Sequence, residues 1–300
     1  MKKILKIIDK LNEYLKYIHF RENEQDKYRE IAITKIINKL YMSLIKKIPF
    51  DTIFNGLSNY MQKKIQQIIS SGTFDALEDI KEYFDRPENK ILKDAMKLYH
   101  IAGLGPHKAI SLAEEGIYTK TQLRQKHIFD TLPLITKQEL IYNPLRHIPR
   151  EVISDVEKRF RKLGEEFYIC GSYRRGLPYT SDLDVLVLDF DKFITLLTEP
   201  YVQGEEKISG MLRWKINNEY TYLKIDFYKT TRHDLYFGLI FLTGSQNFNI
   251  VLRKLAKTKG YKLNQYGLFN IATGRRKQIN SEEELFDFLD LEYLPPEERI

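Results

Sequence analysis

Three hundred residues, 43% of them hydrophobic, make a chain long enough for two or three packed domains and too apolar for a disordered one. A single cysteine, Cys170, excludes an internal disulfide and a cysteine-based zinc site, which favours a reducing intracellular compartment. A formal net charge of +7 suits a polyanionic partner, although ordinary solubility charge would look the same.

No run approaches the roughly 20 apolar residues needed to span a membrane. The amino-terminal ILKIIDKLNEYL is amphipathic and broken by charges, unlike a signal peptide, so a soluble protein is expected. Up to about Asp85 the chain reads as helices. Ile4, Ile7, Ile8, Leu11, Leu15 and Ile18 recur at three- and four-residue steps, as do Ile31, Ile33, Ile36, Ile37 and Leu40. A turn at Asn55-Gly56 precedes a helix that Gly72 ends. Farther on, Gly103-Leu104-Gly105-Pro106 separates two helices, and its glycines leave backbone N–H groups free to face a phosphate. A dinucleotide fingerprint would need a third glycine and a preceding strand.

The stretch from Tyr168 to Asp191, YICGSYRRGLPYTSDLDVLVLDFD, carries the chemistry. It reads as a strand, a Gly171-Ser172 turn, the basic pair Arg174 and Arg175, and a second strand with Asp182 and Asp184. Side chains alternate along a strand, so the two carboxylates share a face and Leu183, Val185 and Val187 take the other. Two acids aimed at one spot call for divalent cations, and hard oxygen ligands suit Mg²⁺ or Mn²⁺. The backbone N–H groups at Gly171 and Ser172, beside two arginines, offer an anion site next door. Metal beside phosphate implies nucleotidyl transfer. An isolated Asp-x-Asp would equally fit a solvated strand end. After Asp191 a helix and then a meander are expected: MLRWKI, a short turn at Asn217-Asn218-Glu219, and YTYLKIDFYK, in which Asp226 is an acid amid apolar and aromatic neighbours.

Gly171-Ser172-Tyr173-Arg174-Arg175-Gly176 followed by Thr180-Ser181-Asp182-Leu183-Asp184 resembles the palm motif of the family X DNA polymerases, with Ser181 in place of a glycine. The resemblance covers nearly the whole chain and implies an α+β fold. Its expected parts are a helical lyase-like domain with a first helix-hairpin-helix at 1–85, and a DNA-binding subdomain with a second at 86–148. A catalytic palm of mixed sheet with helices follows at 149–235, then a small α/β nucleotide-selection subdomain at 236–300. No further amino-terminal domain of the phosphopeptide-binding type is expected.

The same resemblance implies roles. Asp182, Asp184 and Asp226 would hold two Mg²⁺ ions, with Mn²⁺ an acceptable substitute. Gly171, Ser172, Arg175, Arg150, Phe241, Gly244, Gln246 and Asn249 would bind the incoming nucleotide. Arg253 and Tyr266 would lie near the template. Gly103 and Gly105 would meet DNA, and the carbonyls of Tyr99, Ile101 and Leu104 would hold a Na⁺ or K⁺ ion. Lys64 falls on the Schiff-base lysine of the 5′-deoxyribose-phosphate lyase, and Tyr28 on a tyrosine of that pocket. Taken alone, Lys63 and Lys64 also fit a solvated helix face. Asn23, Glu24, Tyr60 and Ala76 stand where the family has basic residues, with Lys27 or Arg29 as stand-ins. Lys224 and Tyr228 replace arginines flanking Asp226.

The implied activity is template-dependent filling of short gaps in DNA repair by a monomer acting on gapped or nicked DNA and dNTPs. A DNA ligase or other repair proteins would be its partners, in a nucleus, a bacterium, or the cytoplasm or virion of a DNA virus. Template-independent or RNA- or small-molecule-directed nucleotidyl transfer, and a non-catalytic DNA scaffold, remain as alternatives.

Overall fold

The computed structural model describes residues 2–21 and 23–299 and combines helices with mixed and antiparallel sheets, an α+β fold. The chain divides into two compact units, residues 1–141 and 142–300.

The first unit is helical: α1 (Lys2–Arg21), α2 (Glu24–Ile45), α3 (Phe50–Asn55), α4 (Asn59–Ser71), α5 (Asp75–Asp85), α6 (Lys90–Leu98), α7 (Pro106–Glu114), α8 (Lys120–Leu123), α9 (Lys126–Phe129) and α10 (Leu134–Tyr142), whose last residue opens the second unit. Ile4, Ile7, Ile8, Leu11, Tyr14 and Ile18 form the buried stripe of α1. On α2 the stripe is Ile33, Ile36, Ile37 and Leu40. Ile31 is 53% exposed, because a step of two residues turns it some 200° away from Ile33. Asn23 caps α2, its side-chain oxygen accepting from the N–H of Asp26. Gly72 closes α4 in the left-handed conformation.

The second unit is built on a five-stranded sheet of β2 (Phe167–Ile169), β4 (Leu183–Val187), β7 (Glu219–Lys229), β6 (Lys207–Ile216) and β5 (Leu197–Gln203), in that spatial order. Only β4 and β7 run parallel among these neighbours. β1 (Ile148–Pro149) pairs with β3 (Tyr179–Thr180). Leu183, Val185, Val187, Leu223, Ile225 and Phe227 point into one core with α11 (Arg150–Arg161) and Phe193 of α13 (Asp191–Ile194). The opposite face carries Leu186, packed with Cys170 and with Leu235 and Leu239 of α14 (Leu235–Thr243). The β6–β7 hairpin turns on Asn217 and Asn218, both at positive φ, a two-residue turn suited to the strand twist.

The strand β5 is absent from the sequence expectation, and α13 is a single turn. A one-turn helix, α12 (Gly171–Arg174), occupies the expected Gly-Ser turn. After α14 come α15 (Gln246–Thr258), a sheet of β8 (Tyr261–Asn264), β9 (Gly267–Asn270) and β10 (Arg276–Lys277), and α16 (Glu282–Phe288). No helix among the described residues is long and apolar enough to cross a membrane.

Candidate active site

Alternation along β4 sends Asp184 to the face away from the Leu183–Val185–Val187 core, and parallel pairing sets it in register with Asp226 on β7. Asp182 lies one residue ahead of β4 instead of within it, and its Oδ1 accepts from the Ser181 hydroxyl. Burial, then the charges of Asp182 and Asp226, push the Asp184 carboxyl up to about 7, against the pull of Lys207 and Arg175. Gly171 sits at φ +58°, and a Cβ there would lie 2.6 Å from Oδ2 of Asp184. Glycine therefore lets α12 start against the acid.

Asp182, Asp184, Gly171, Ser172 and Arg175 line one cleft of about 800 Å³ with Arg146, His147, Phe241, Gly244, Gln246, Asn249 and Arg253. Arg175 donates to the carbonyl of Thr243, ahead of Gly244. Asn249 Nδ2 donates to the Phe241 carbonyl at 2.7 Å, and the Arg253 guanidinium lies 5.3 Å from the Phe241 ring. Three expected residues are not part of this lining: Asp226, which stands beside Asp184 on β7, Arg150 and Tyr266. Arg150 donates to the Tyr173 carbonyl and stacks 4.2 Å from that ring, and it is not among the residues lining the cleft. Tyr266 donates to Glu206 and lines a separate cavity of about 320 Å³.

Lys207, absent from the sequence reading, reaches from β6 to put Nζ 2.7 Å from Oδ2 of Asp226. Burial pulls its pKa down, but the bonds to Asp226 and Tyr228 outweigh that and raise it. Ser209, opposite Asp226 on β6, has a buried Oγ without a partner among the described residues. Asp184 in register with Asp226, Asp182 just ahead of β4, a raised Asp184 carboxyl and this orphaned hydroxyl are the donor chemistry of a divalent oxygen-ligand site. Among the described residues, no three acidic, histidine or cysteine groups are yet gathered closely enough to hold a metal.

Arg174, the other arginine of the motif, faces away from this chemistry. It makes two bonds to Glu282 of α16, at 3.0 and 2.7 Å, and one to Thr243 Oγ1 at 2.7 Å. Arg299 joins Glu282 at 2.8 Å. Burial alone would raise the Glu282 pKa, but the bonds from Arg174 and Arg299 together hold it below the usual glutamate value. Burial pushes the Cys170 thiol up to about 12.

In the first unit, Lys64 on α4 is 6% exposed. Its Nζ lies 4.7, 4.8 and 5.4 Å from the rings of Tyr60, Phe74 and Tyr14. Tyr28 is 76% exposed and is not one of these rings. Arg29 bonds Asp26 and Gln25, while Lys27 lines a cavity of about 420 Å³ with His19 and His107. The Tyr99–Gly105 turn is pinned by α10: Thr136 donates to the Ala102 carbonyl at 2.7 Å and the Ala102 N–H donates to Glu139 at 3.3 Å. Gly103 stands at φ +81°, where a Cβ would lie 2.6 Å from Thr136 Oγ1. The Ile101 carbonyl accepts from the Leu104 N–H, and Gly105 is the cap of α7.

The family described as DNA polymerase beta thumb matches residues 238–300. DNA polymerase lambda of Arabidopsis thaliana is 30% identical over 286 residues, covering 81% of this chain and 52% of that protein. DNA polymerase lambda of Rattus norvegicus is 25% identical, covering 91% and 53%. The DNA polymerase/3'-5' exonuclease PolX of Bacillus subtilis is 25% identical, covering 77% and 45%. The chain thus spans about half the length of the curated relatives it matches. A crystal structure of Leishmania infantum polymerase beta in a ternary P/T complex superposes with a TM-score of 0.61 at 29% identity, covering 70% of this chain and 99% of that one. Together with the Gly171-Ser172 helix start and the in-register pair Asp184 and Asp226 on two parallel strands, these likenesses show that the chain resembles the family X DNA polymerases, DNA polymerase beta in particular.

Proposed function

We propose that the chain is a template-directed repair polymerase that adds single deoxynucleotides to a primer 3′-hydroxyl within short DNA gaps. The observation that carries this reading is the register pairing of Asp184 with Asp226, in a protein where Asp182 and Asp184 share a cleft with Gly171, Ser172 and Arg175. The cleft's size suits a nucleotide, and its lining carries both the acids Asp182 and Asp184 and the arginines Arg146, Arg175 and Arg253.

Asp182, Asp184 and Asp226 would hold two Mg²⁺ ions, with Mn²⁺ as a substitute; when bound, these ions activate the 3′-hydroxyl and offset charge on the triphosphate. The hydroxyl oxygen forms a bond to the α-phosphorus, and the bond from that phosphorus to its bridging oxygen breaks, releasing pyrophosphate. Asp226 takes or relays the hydroxyl proton. Ser172, Arg175 and the N–H groups that open α12 bind the triphosphate. Phe241, Gly244, Gln246 and Asn249 seat the sugar and base, while Arg253 and Tyr266 serve the template side.

The domain reading follows. Residues 1–85 form a lyase-like domain, 86–148 a DNA-binding subdomain, 149–235 the palm and 236–300 the nucleotide-selection part. The Gly103–Gly105 turn grips a DNA phosphate through its backbone, with a Na⁺ or K⁺ ion on the carbonyls of Tyr99, Ile101 and Leu104. Lys64, shielded by three rings, is the nucleophile of a 5′-deoxyribose-phosphate lyase, and Tyr28 belongs to the DNA-facing side of that domain. Gapped DNA and dNTPs are the substrates; a ligase acting on the filled nick is the natural partner. The two-residue turn at Asn217 and Asn218 favours template dependence over terminal transfer. Removing the Asp226 carboxylate should abolish incorporation and leave gap binding intact; unchanged incorporation would overturn the assignment.

A further inference from the structure

Lys207 opens β6 and pairs in register with Tyr228, while Ser209 pairs with Asp226. Lys207, Asp226 and Tyr228 therefore share one face of the sheet, with Lys207 diagonal to the acid. Two bonds converge on the same oxygen, Oδ2 of Asp226: the Lys207 ammonium at 2.7 Å and the Tyr228 hydroxyl at 3.3 Å. The ammonium also lies 4.8 Å from the Tyr228 ring. Both partners are partly withdrawn from water, with side chains 37% and 18% exposed, so the pair is less screened than a surface ion pair. The acids on the neighbouring strand end are meanwhile not gathered into a metal cage among the described residues.

We propose that Lys207 is a positioning residue that occupies Asp226 in place of a divalent cation and thereby sets how much metal the site demands. The proposal rests on the polymerase reading of the same carboxylates. A cation arriving at Asp226 competes with the ammonium for Oδ2 and meets a carboxylate whose charge is already partly offset. The usual outer partner of a metal ligand is a carboxylate or carbonyl, which strengthens the ligand, so losing it weakens metal binding. A cationic partner has the opposite sign: its removal leaves the acids less neutralised and the metal held more tightly.

The test is direct titration of Mn²⁺ into the full chain, followed by electron paramagnetic resonance, for the wild type, Lys207→Met and Lys207→Arg. Lys207→Met should bind Mn²⁺ about five- to tenfold more tightly, an effect of the size expected for one charge at a partly buried site. Lys207→Arg, which keeps the charge, should stay within about twofold of wild type. The Mg²⁺ concentration that half-saturates gap filling should fall in parallel for Lys207→Met. Should Lys207→Met fail to fold, Lys207→Gln carries the same expectation. Mn²⁺ affinity that is unchanged or weaker without the ammonium would overturn the proposal, as would the absence of saturable Mn²⁺ binding in all the chains. A wild type that binds Mn²⁺ but incorporates no nucleotide would sink the polymerase reading instead, while the Mn²⁺ shift would still decide the role of Lys207.

Discussion

Asp184 and Asp226 face each other across a parallel strand pair, in register and on the same side of the sheet. With Asp182 beside them and most of Asp184 withdrawn from water, the Asp184 carboxyl is pushed up to about 7. A folded-state value above the unfolded one means that the native state holds its proton more tightly. The resulting stability is full below the ordinary aspartate range and is lost as pH climbs through about 7. In EDTA, wild-type melting temperature should therefore fall between about pH 4 and 8 more steeply than that of Asp184→Asn, and Mg²⁺ at pH 8 should recover the wild type but not the variant. Parallel pH curves for the two proteins would contradict this electrostatic picture.

In the proposed reaction Asp226 takes or relays the proton of the 3′-hydroxyl. Asp226→Ala should reduce single-nucleotide incorporation by at least about 100-fold, the scale on which a single transition-state group acts. Binding to a gapped duplex, measured by fluorescence anisotropy, should change by less than about threefold, since the acid contributes no phosphate contact. A variant that loses DNA affinity and rate together would move Asp226 from chemistry to structure.

The Arg174–Glu282–Arg299 cluster ties the helix after the Gly-Ser start to α16 and the end of the described chain. Glu282 is 7% exposed, so Glu282→Gln leaves two guanidinium groups without their shared carboxylate and should cost about 3–5 kcal/mol in urea unfolding at pH 7. Its lowered pKa gives the sign of the pH dependence. The stability it contributes is present above the ordinary glutamate range and is lost progressively as pH falls through the lowered folded-state value, so the gap between wild type and Glu282→Gln should narrow steadily below the ordinary glutamate range. A difference that persists undiminished at pH 3 would contradict the ion-pair account.

Lys64 is sheltered by Tyr14, Tyr60 and Phe74. Borohydride reduction on an incised abasic site should trap a covalent adduct with the wild type that Lys64→Ala loses, with gap filling intact. An adduct that survives Lys64→Ala would place the nucleophile on another amine, and no adduct with the wild type would refute the lyase.

Much of the site was legible because it depends on short-range rules. Alternation predicted the faces of Leu183, Asp184 and Val185, and an acid in the middle of an apolar strand singled out Asp226. Lys207 was not legible. It is 19 residues from Asp226 and meets it only through the β6–β7 register, which a sequence pattern does not disclose. The Arg174–Glu282 bond spans 108 residues and was hidden for the same reason. The contact of Arg150 with the ring and carbonyl of Tyr173 spans 23 residues and was hidden likewise. At Tyr60, a position where a basic residue was expected, the aromatic ring instead completes the enclosure of Lys64.

Template-directed addition at a gap is the reaction on which the proposed roles of Asp182, Asp184 and Asp226 depend. The most direct measurement supplies each dNTP with Mg²⁺ to a one-nucleotide gapped duplex bearing a 5′-phosphate, beside an open primer-template and an unpaired primer. The complementary nucleotide alone should be incorporated, fastest at the gap. Addition to the unpaired primer alone would make the protein a terminal transferase, and tight gap binding with no addition would make it a scaffold; either result would contradict template-directed gap filling.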